Sequence, residues 1–81
     1  MSVESEKIKQ FIRSVIINDE DIQIKDDESL ISGGLIDSLD LVKVVVFLEK
    51  EFKVKIDNSK VTAKDMDTVN LIVKVLERFR K

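Results

Sequence analysis

The sequence predicts one all-α domain with three long helices, one short helix and a long loop between the first two. Its 81 residues are enough for a single hydrophobic core and too few for two. With 43% apolar and 37% charged residues, the composition is that of a folded globular chain. Apolar residues recur at helical spacing in three separate stretches. We therefore expect a four-helix, up-down bundle that occupies residues 1–81 as a single domain.

The first helix is predicted over residues 3–17. Its apolar residues fall at i, i+3, i+4, i+7 and i+8, which is one face of an α-helix: Ile8, Phe11, Ile12, Val15 and Ile16. Ser2 is the expected N-cap, and Glu4 and Glu6 lie in the first turn, where the helix dipole favours negative charge. This pattern places the whole face, Val15 included, against the core.

Residues 18–37 have no sustained period and are predicted to form a long loop rich in acidic residues. Loops longer than about 12–15 residues are uncommon in compact domains unless they are functional or anchored. Gly33 and Gly34 allow a sharp turn before the next helix. Four apolar side chains are expected to anchor the loop to the core: Leu30, Ile31, Leu35 and Ile36.

The second helix is predicted over residues 38–52 and carries two apolar stripes. Asp37 and Ser38 supply its N-cap chemistry. The core stripe comprises Leu41, Val44, Val45, Leu48 and Phe52. The second stripe, on a different side, comprises Leu39, Val42 and Val46. One helix of so small a domain has difficulty burying both. The second stripe is therefore either an exposed docking surface or a surface covered by the last helix or the loop.

The remaining residues are predicted to form a connector and two further helices. Residues 54–56 are too short for more than an extended connector with Ile56 turned inward, and a short helix is predicted over residues 59–64. The last helix begins at Asp67 or Thr68 and runs to residue 80. The predicted core consists of Phe11, Val15, Val44, Leu48, Phe52, Val69, Ile72 and Leu76.

The composition argues against several classes of function. The absence of cysteine and histidine removes the usual catalytic bases, nucleophile pairs and zinc ligands, so neither an enzyme nor a metal site is expected. A net charge of −2 disfavours nucleic-acid binding. No apolar run approaches the roughly 18 residues of a membrane helix, and no signal peptide is visible. The acidic loop lacks the spacing of an EF-hand and is interpreted as solvated. We expect a cytoplasmic monomer whose partners are proteins.

Residues 33–48 contain Asp37-Ser38-Leu39 where the second helix begins. This segment resembles the attachment motif of acyl carrier and peptidyl carrier proteins, and the other elements follow in the order of that family. The resemblance implies an acyl-carrier-like four-helix bundle. It also implies that a phosphopantetheinyl transferase attaches 4'-phosphopantetheine from coenzyme A to Ser38. A phosphodiester there would lie at a helix N-terminus, which favours an anion by about 0.3–1 kcal/mol.

The resemblance further implies a carrier of thioester-bound acyl or aminoacyl intermediates, loaded by one enzyme and delivered to a downstream synthase or transferase. The pathway would be fatty-acid, polyketide or other specialised biosynthesis. The predicted partner-binding surface consists of Asp37, Leu39, Asp40, Val42, Lys43 and Val46. Family members commonly carry an acidic residue where this chain has Lys43, and a small residue where it has Ile36. Both departures favour a specialised carrier, including the D-alanyl and other aminoacyl carriers.

Other interpretations stay open at this point. Asp37 and Ser38 would also serve as an ordinary N-cap worth about 1 kcal/mol. The chain would then be an unmodified helical interaction module that docks through Leu39, Val42 and Val46. A hydrolase with Ser38 as nucleophile is disfavoured because no histidine is present to activate it. The many valines of the second helix also raise the hypothesis that the core opens to hold an acyl chain.

Overall fold

The computed structural model describes residues 3–80, apart from the side chain of Asn58, and these residues form helices and loops without a strand. The all-α prediction is therefore confirmed. In chain order the elements are helix α1 (Val3–Phe11), a π-helical segment (Ile12–Ile17), helix α2 (Asp40–Phe52), two 3₁₀ segments (Asn58–Lys60 and Ala63–Met66) and helix α3 (Val69–Phe79).

The first predicted helix has the expected bounds, but its second part is π-helical from Ile12 to Ile17. A π-helix bonds residue i to i+5, so a face counted at α-helical spacing no longer stays on one side. Ile12 is fully buried, whereas Val15 is 56% exposed, and the prediction that Val15 belongs to the core is wrong. The segment ends at Asn18, whose φ of 60° is left-handed. The expected N-cap, Ser2, lies outside the described residues.

The core is centred on side chains from the three α-helices and the loop. Of the eight predicted core residues, five are buried: Val44, Leu48, Val69, Ile72 and Leu76. Phe11 and Phe52 are half-buried at its margin, where the Phe11 ring stacks on Phe47 with 4.3 Å between ring centroids. Sequence reasoning did not place Met66 in the core, although it is almost fully buried.

The predicted long loop is anchored to the helices by apolar and polar contacts. Leu30 and Ile36 are buried as expected, and Ile31 and Leu35 are half-buried. The Asp67 carboxylate accepts hydrogen bonds from the Ile31 N–H (2.8 Å), the Ser32 N–H (3.1 Å) and the Ser32 hydroxyl (2.7 Å). These three bonds tie the loop to the residue that precedes the Thr68 N-cap of α3.

The glycine pair is required at this turn. Gly34 has a φ of +83°, in the left-handed region that L side chains rarely adopt. A Cβ atom at Gly33 would lie 2.2 Å from the carbonyl oxygen of Ser29. The turn therefore brings the chain close to itself just before α2.

A second tether of the loop is an ion pair that the sequence did not indicate. The Lys9 side chain on α1 is only 8% exposed, and its Nζ lies 2.5 Å from Oδ1 of Asp26. The two atoms are in ion-pair contact without hydrogen-bond alignment, since this oxygen has no hydrogen-bond partner among the described residues. The Asp26 carbonyl accepts the Asn70 N–H at 2.9 Å. Asp26 thus joins the loop to both α1 and α3.

The short helix predicted over residues 59–64 is not confirmed, because two 3₁₀ segments occupy this region. Polar residues dominate it, so an α-helix here would have little apolar surface to bury. The second segment is capped by Asp65, whose Oδ2 accepts the Thr62 N–H at 2.9 Å, while the Asp65 N–H donates to the Thr62 carbonyl at 3.0 Å. Ile56 is buried as expected. The N-cap of α3 is Thr68, whose hydroxyl accepts the Leu71 N–H at 3.0 Å.

Candidate functional site

The start of α2 is organised by two aspartates on either side of Ser38. The Asp40 N–H donates to Oδ1 of Asp37 at 3.1 Å, and the Asp37 N–H donates to Oδ2 of Asp40 at 3.2 Å. This reciprocal pair has the form of a capping box, with the roles of Ser/Thr and Glu taken by aspartates. The regular helix begins at Asp40, two residues after the predicted start, because Ser38 and Leu39 form the turn that the two carboxylates close.

Ser38 therefore does not cap the helix. Its side chain is exposed, and its hydroxyl makes no hydrogen bond within residues 3–80. The backbone N–H groups of Ser38 and Leu39 likewise have no partner in this part of the chain. A phosphodiester on the Ser38 oxygen fits these surroundings, since its oxygens would meet unpaired N–H donors at a helix N-terminus.

The electrostatics of this helix end are mixed. The dipole of α2 favours an anion at its start, but the carboxylates of Asp37 and Asp40 lie beside the same turn and oppose one. A free phosphate ion would therefore bind here with little favourable free energy. A phosphate that is covalently bonded to Ser38 does not need that binding free energy to stay in place. The geometry thus suits an attached group better than a free anion.

An open cleft of about 390 Å³ lies next to Ser38, between α2 on one side and the second 3₁₀ segment with the two residues before it on the other. Such a volume is at the small end of the roughly 300–1,000 Å³ of small-molecule sites. Sequence reasoning missed this cleft, because its far wall is formed by the second 3₁₀ segment and the residues before it, which show no amphipathic period. Besides Ser38, its lining comprises Leu41, Val42, Val45, Val61, Thr62, Ala63 and Met66.

Of the six predicted partner-binding residues, Asp37 and Leu39 flank Ser38 in the turn before α2, and the other four lie on α2 itself: Asp40, Val42, Lys43 and Val46. Leu39, Val42 and Val46 are 77%, 64% and 40% exposed, so neither α3 nor the loop covers this stripe. Asp37 and Lys43 are also exposed, and Asp40 is half-buried. The Lys43 ammonium lies 3.8 Å from the Asp40 carboxylate, one helical turn away.

Residues 6–76 match the family described as "phosphopantetheine attachment site". The chain belongs to this family, and it is a carrier protein that bears a covalently attached 4'-phosphopantetheine arm. Proteins of this family receive the arm from a phosphopantetheinyl transferase and are charged by separate loading enzymes.

Among curated proteins, the chain is similar to D-alanyl carrier proteins. It is 38% identical to the D-alanyl carrier protein of Streptococcus uberis over 80 residues, which covers 99% of this chain and 98% of the relative. The D-alanyl carrier protein of Streptococcus pyogenes serotype M1 is 35% identical over the same shares of the two chains. No solved structure gives a significant match.

Within the described residues, no group of three or more acidic side chains is placed to hold a metal ion. No helix in residues 3–80 is long and apolar enough to cross a membrane.

Proposed function

We propose that Ser38 is the residue that carries the phosphopantetheine arm. The observation that supports this most directly lies at the start of α2: Asp37 caps the first turn, and the exposed Ser38 hydroxyl has no hydrogen-bond partner among residues 3–80. The Ser38 oxygen would attack the phosphopantetheine phosphorus of coenzyme A as the hydroxyl proton is lost. The pyrophosphate bond would break, adenosine 3',5'-bisphosphate would leave, and a phosphodiester would remain. The attached group then supplies a thiol on which cargo travels as a thioester.

The proposed cargo is an aminoacyl group, with D-alanyl as the first candidate. The similar proteins named above are D-alanyl carriers that match this chain over nearly its full length. Lys43 also favours an aminoacyl cargo. Housekeeping fatty-acid carriers are expected to bind basic partners, and a lysine within the docking surface would repel such a partner. Fatty-acid and polyketide pathways are thereby less favoured than aminoacyl transfer.

The packing of the interior supports a small cargo. Leu48, Ile72 and Leu76 are fully buried at the centre of the core. Holding a long acyl chain there would require these close-packed side chains to separate. The cleft next to Ser38 is open and small, and it would hold part of the arm or a small aminoacyl group rather than a long chain. We therefore propose, against the hypothesis raised by the valines of α2, that the core does not open to hold a long acyl chain.

The proposal includes docking through the surface around Ser38 and transport without catalysis. Partner enzymes would contact Leu39, Val42 and Val46, with Asp37, Asp40 and Lys43 setting the charge of the contact. The lack of histidine and cysteine supports a non-catalytic role. The arm would act by raising the effective concentration of cargo at each active site. We place the protein in the cytoplasm, where coenzyme A is available, as a single domain over residues 1–81.

A transferase assay tests the attachment site. Apo protein is incubated with coenzyme A and a promiscuous phosphopantetheinyl transferase, and intact mass is measured. We expect the wild-type chain to gain one phosphopantetheine and Ser38→Ala to gain none. Ser29→Ala, at an exposed serine of the loop, is the matched control and should be modified like the wild type. Modification of Ser38→Ala, or none of the wild type, would contradict the proposal and favour the unmodified interaction module.

A further inference from the structure

The π-helical segment creates an apolar groove on the side of α2 that faces α1. This groove has a volume of about 390 Å³ and is lined by Phe11, Val15, Val42, Lys43, Val46, Phe47, Lys50 and Glu51. Its floor includes the stacked rings of Phe11 and Phe47. We refer to it below as the π groove. It is a different surface from the cleft beside Ser38, and Val42 is the one residue that lines both.

The groove depends on the departure from α-helical geometry. With α-helical spacing, Val15 would face the core, but in the π-helical segment it is 56% exposed and forms one wall of the groove. Val46 of α2 also lines it and is 40% exposed. π-Helical turns are rare and frequently occur at functional sites. Three exposed valines around an aromatic floor are an apolar surface of the kind that marks interaction sites.

The charges at the edge of the groove indicate the chemistry of its partner. Lys50 is exposed and forms no ion pair among the described residues. Lys43 is 61% exposed and has only a 3.8 Å contact with Asp40. Glu51 is already paired with Lys7 at 2.9 Å, so the acidic residue of the lining is compensated within the protein. Among the described residues, the edge therefore has one lysine without an ion pair, Lys50, and one with only a long ion-pair contact, Lys43. This positive edge favours carboxylates on the partner.

Resting on the docking surface proposed above, with which the groove shares Val42, Lys43 and Val46, we propose that the π groove binds an acidic amphipathic helix of a partner protein. An apolar anchor side chain would enter between Val15 and Val46, and flanking carboxylates would meet Lys43 and Lys50. A concave groove with two exposed lysines at its edge suits one anchor side chain with flanking carboxylates. A flat anionic bilayer would need a broader basic face. Because the groove lies on the α1 side of α2, this contact would leave Ser38 open to a partner's active site.

The test is a titration of the ¹⁵N-labelled full chain with a short amphipathic helical peptide that carries leucine and phenylalanine on one face and glutamates along both sides. We expect amide shifts at Val15, Val46 and Lys50. The Kd should rise at least about fivefold in Lys43→Glu/Lys50→Glu, because two exposed ion pairs are lost. Val15→Ser should weaken binding as well.

Matched controls lie outside the groove. Lys74→Glu on α3 changes the same charge at an exposed position, and Val3→Ser removes an exposed valine of α1. Both should bind the peptide like the wild type. The inference is overturned if groove amides do not shift, or if a peptide with lysine in place of glutamate binds equally well. It is also overturned if Lys74→Glu weakens binding as much, or if phosphatidylglycerol vesicles bind at the groove in preference to the peptide. Apo and holo protein should behave alike, so failure here would leave the attachment proposal at Ser38 untouched.

Discussion

Replacing Asp26 by asparagine tests whether the ion pair between α1 and the loop holds the fold together. The Lys9 side chain is 8% exposed, so its ammonium would lose its nearest counter-charge in a poorly solvated position. Breaking a fully buried pair from one side costs about 3–5 kcal/mol. Here Asp26 is 32% exposed and the Glu6 carboxylate lies 3.7 Å from the same ammonium, which lowers the cost. We expect about 2 kcal/mol for Asp26→Asn, or a fall in Tm of about 8–16 °C for a domain of this size.

The companion variant Lys9→Met should be milder, at about 1 kcal/mol or less, because methionine keeps the apolar stem and the remaining Asp26 carboxylate reaches water. Lys9→Met/Asp26→Asn should be more stable than the sum of the single changes implies, with a coupling of about 1–2 kcal/mol. Urea unfolding followed by circular dichroism measures all three. Asp27→Asn, at the exposed neighbouring residue, is the control. If Asp26→Asn costs no more than Asp27→Asn, or if the single changes simply add, the pair is not a structural tether.

Three further changes probe the core, the π-helical segment and the loop. Leu48→Ala removes a fully buried side chain and should lower the free energy of unfolding by about 2–5 kcal/mol in urea. Val15→Ser, at a position that α-helical spacing assigns to the core, should change the free energy of unfolding by less than about 0.5 kcal/mol. A loss as large as that of Leu48→Ala would show that Val15 is buried. The hydroxyl of Ser32, followed by the N–H groups of Ser32 and Ile31, holds the pKa of Asp67 below its ordinary value of 3.8. Because the folded pKa is the lower one, this stability is present above about pH 3.8 and is lost as pH falls through the folded pKa. Asp67→Asn should therefore be less stable at neutral pH, and its free energy of unfolding should fall less steeply on acidification. If the fall at acidic pH is the same as in the wild type, Asp67 does not have this role.

The periodic features of the fold were predictable because they follow from local spacing. The three long helices lie where the apolar residues recur, and Val44, Leu48 and Ile72 are buried as the pattern requires. Val15 was assigned to the wrong side of the helix because spacing at i+3 and i+4 assumes α-helical hydrogen bonding. The sequence of this segment has no feature that predicts a π-helix. The same limitation applies to the 3₁₀ segments, whose residues have no amphipathic period.

The polar contacts that hold the long loop depend on residues distant in sequence. Lys9 and Asp26 are unremarkable surface types when taken alone, and their pairing appears only once the loop is folded against α1. Asp67 was a candidate N-cap for α3, but Thr68 caps the helix while Asp67 binds the loop 35 and 36 residues earlier. Such tertiary hydrogen bonds have no local signature.

The candidate site also has features that the sequence predicts and features that it does not. Asp37, Ser38 and the exposed stripe on α2 were visible in the sequence because they combine cap chemistry with a second apolar period. The cleft beside Ser38 and the π groove were not visible, since each needs a second wall supplied by a segment of irregular helix.

The most direct test of the carrier proposal is mass spectrometry of the protein purified from the cells that produce it. Fragment ions should place a phosphopantetheine on Ser38, and the intact mass of a fraction of the molecules should include an aminoacyl group, with alanine as the first candidate. Hydroxylamine, which cleaves thioesters, should release that group and leave the arm in place. An unmodified Ser38, an arm on another residue, or a long fatty-acyl chain as the cargo would contradict the account.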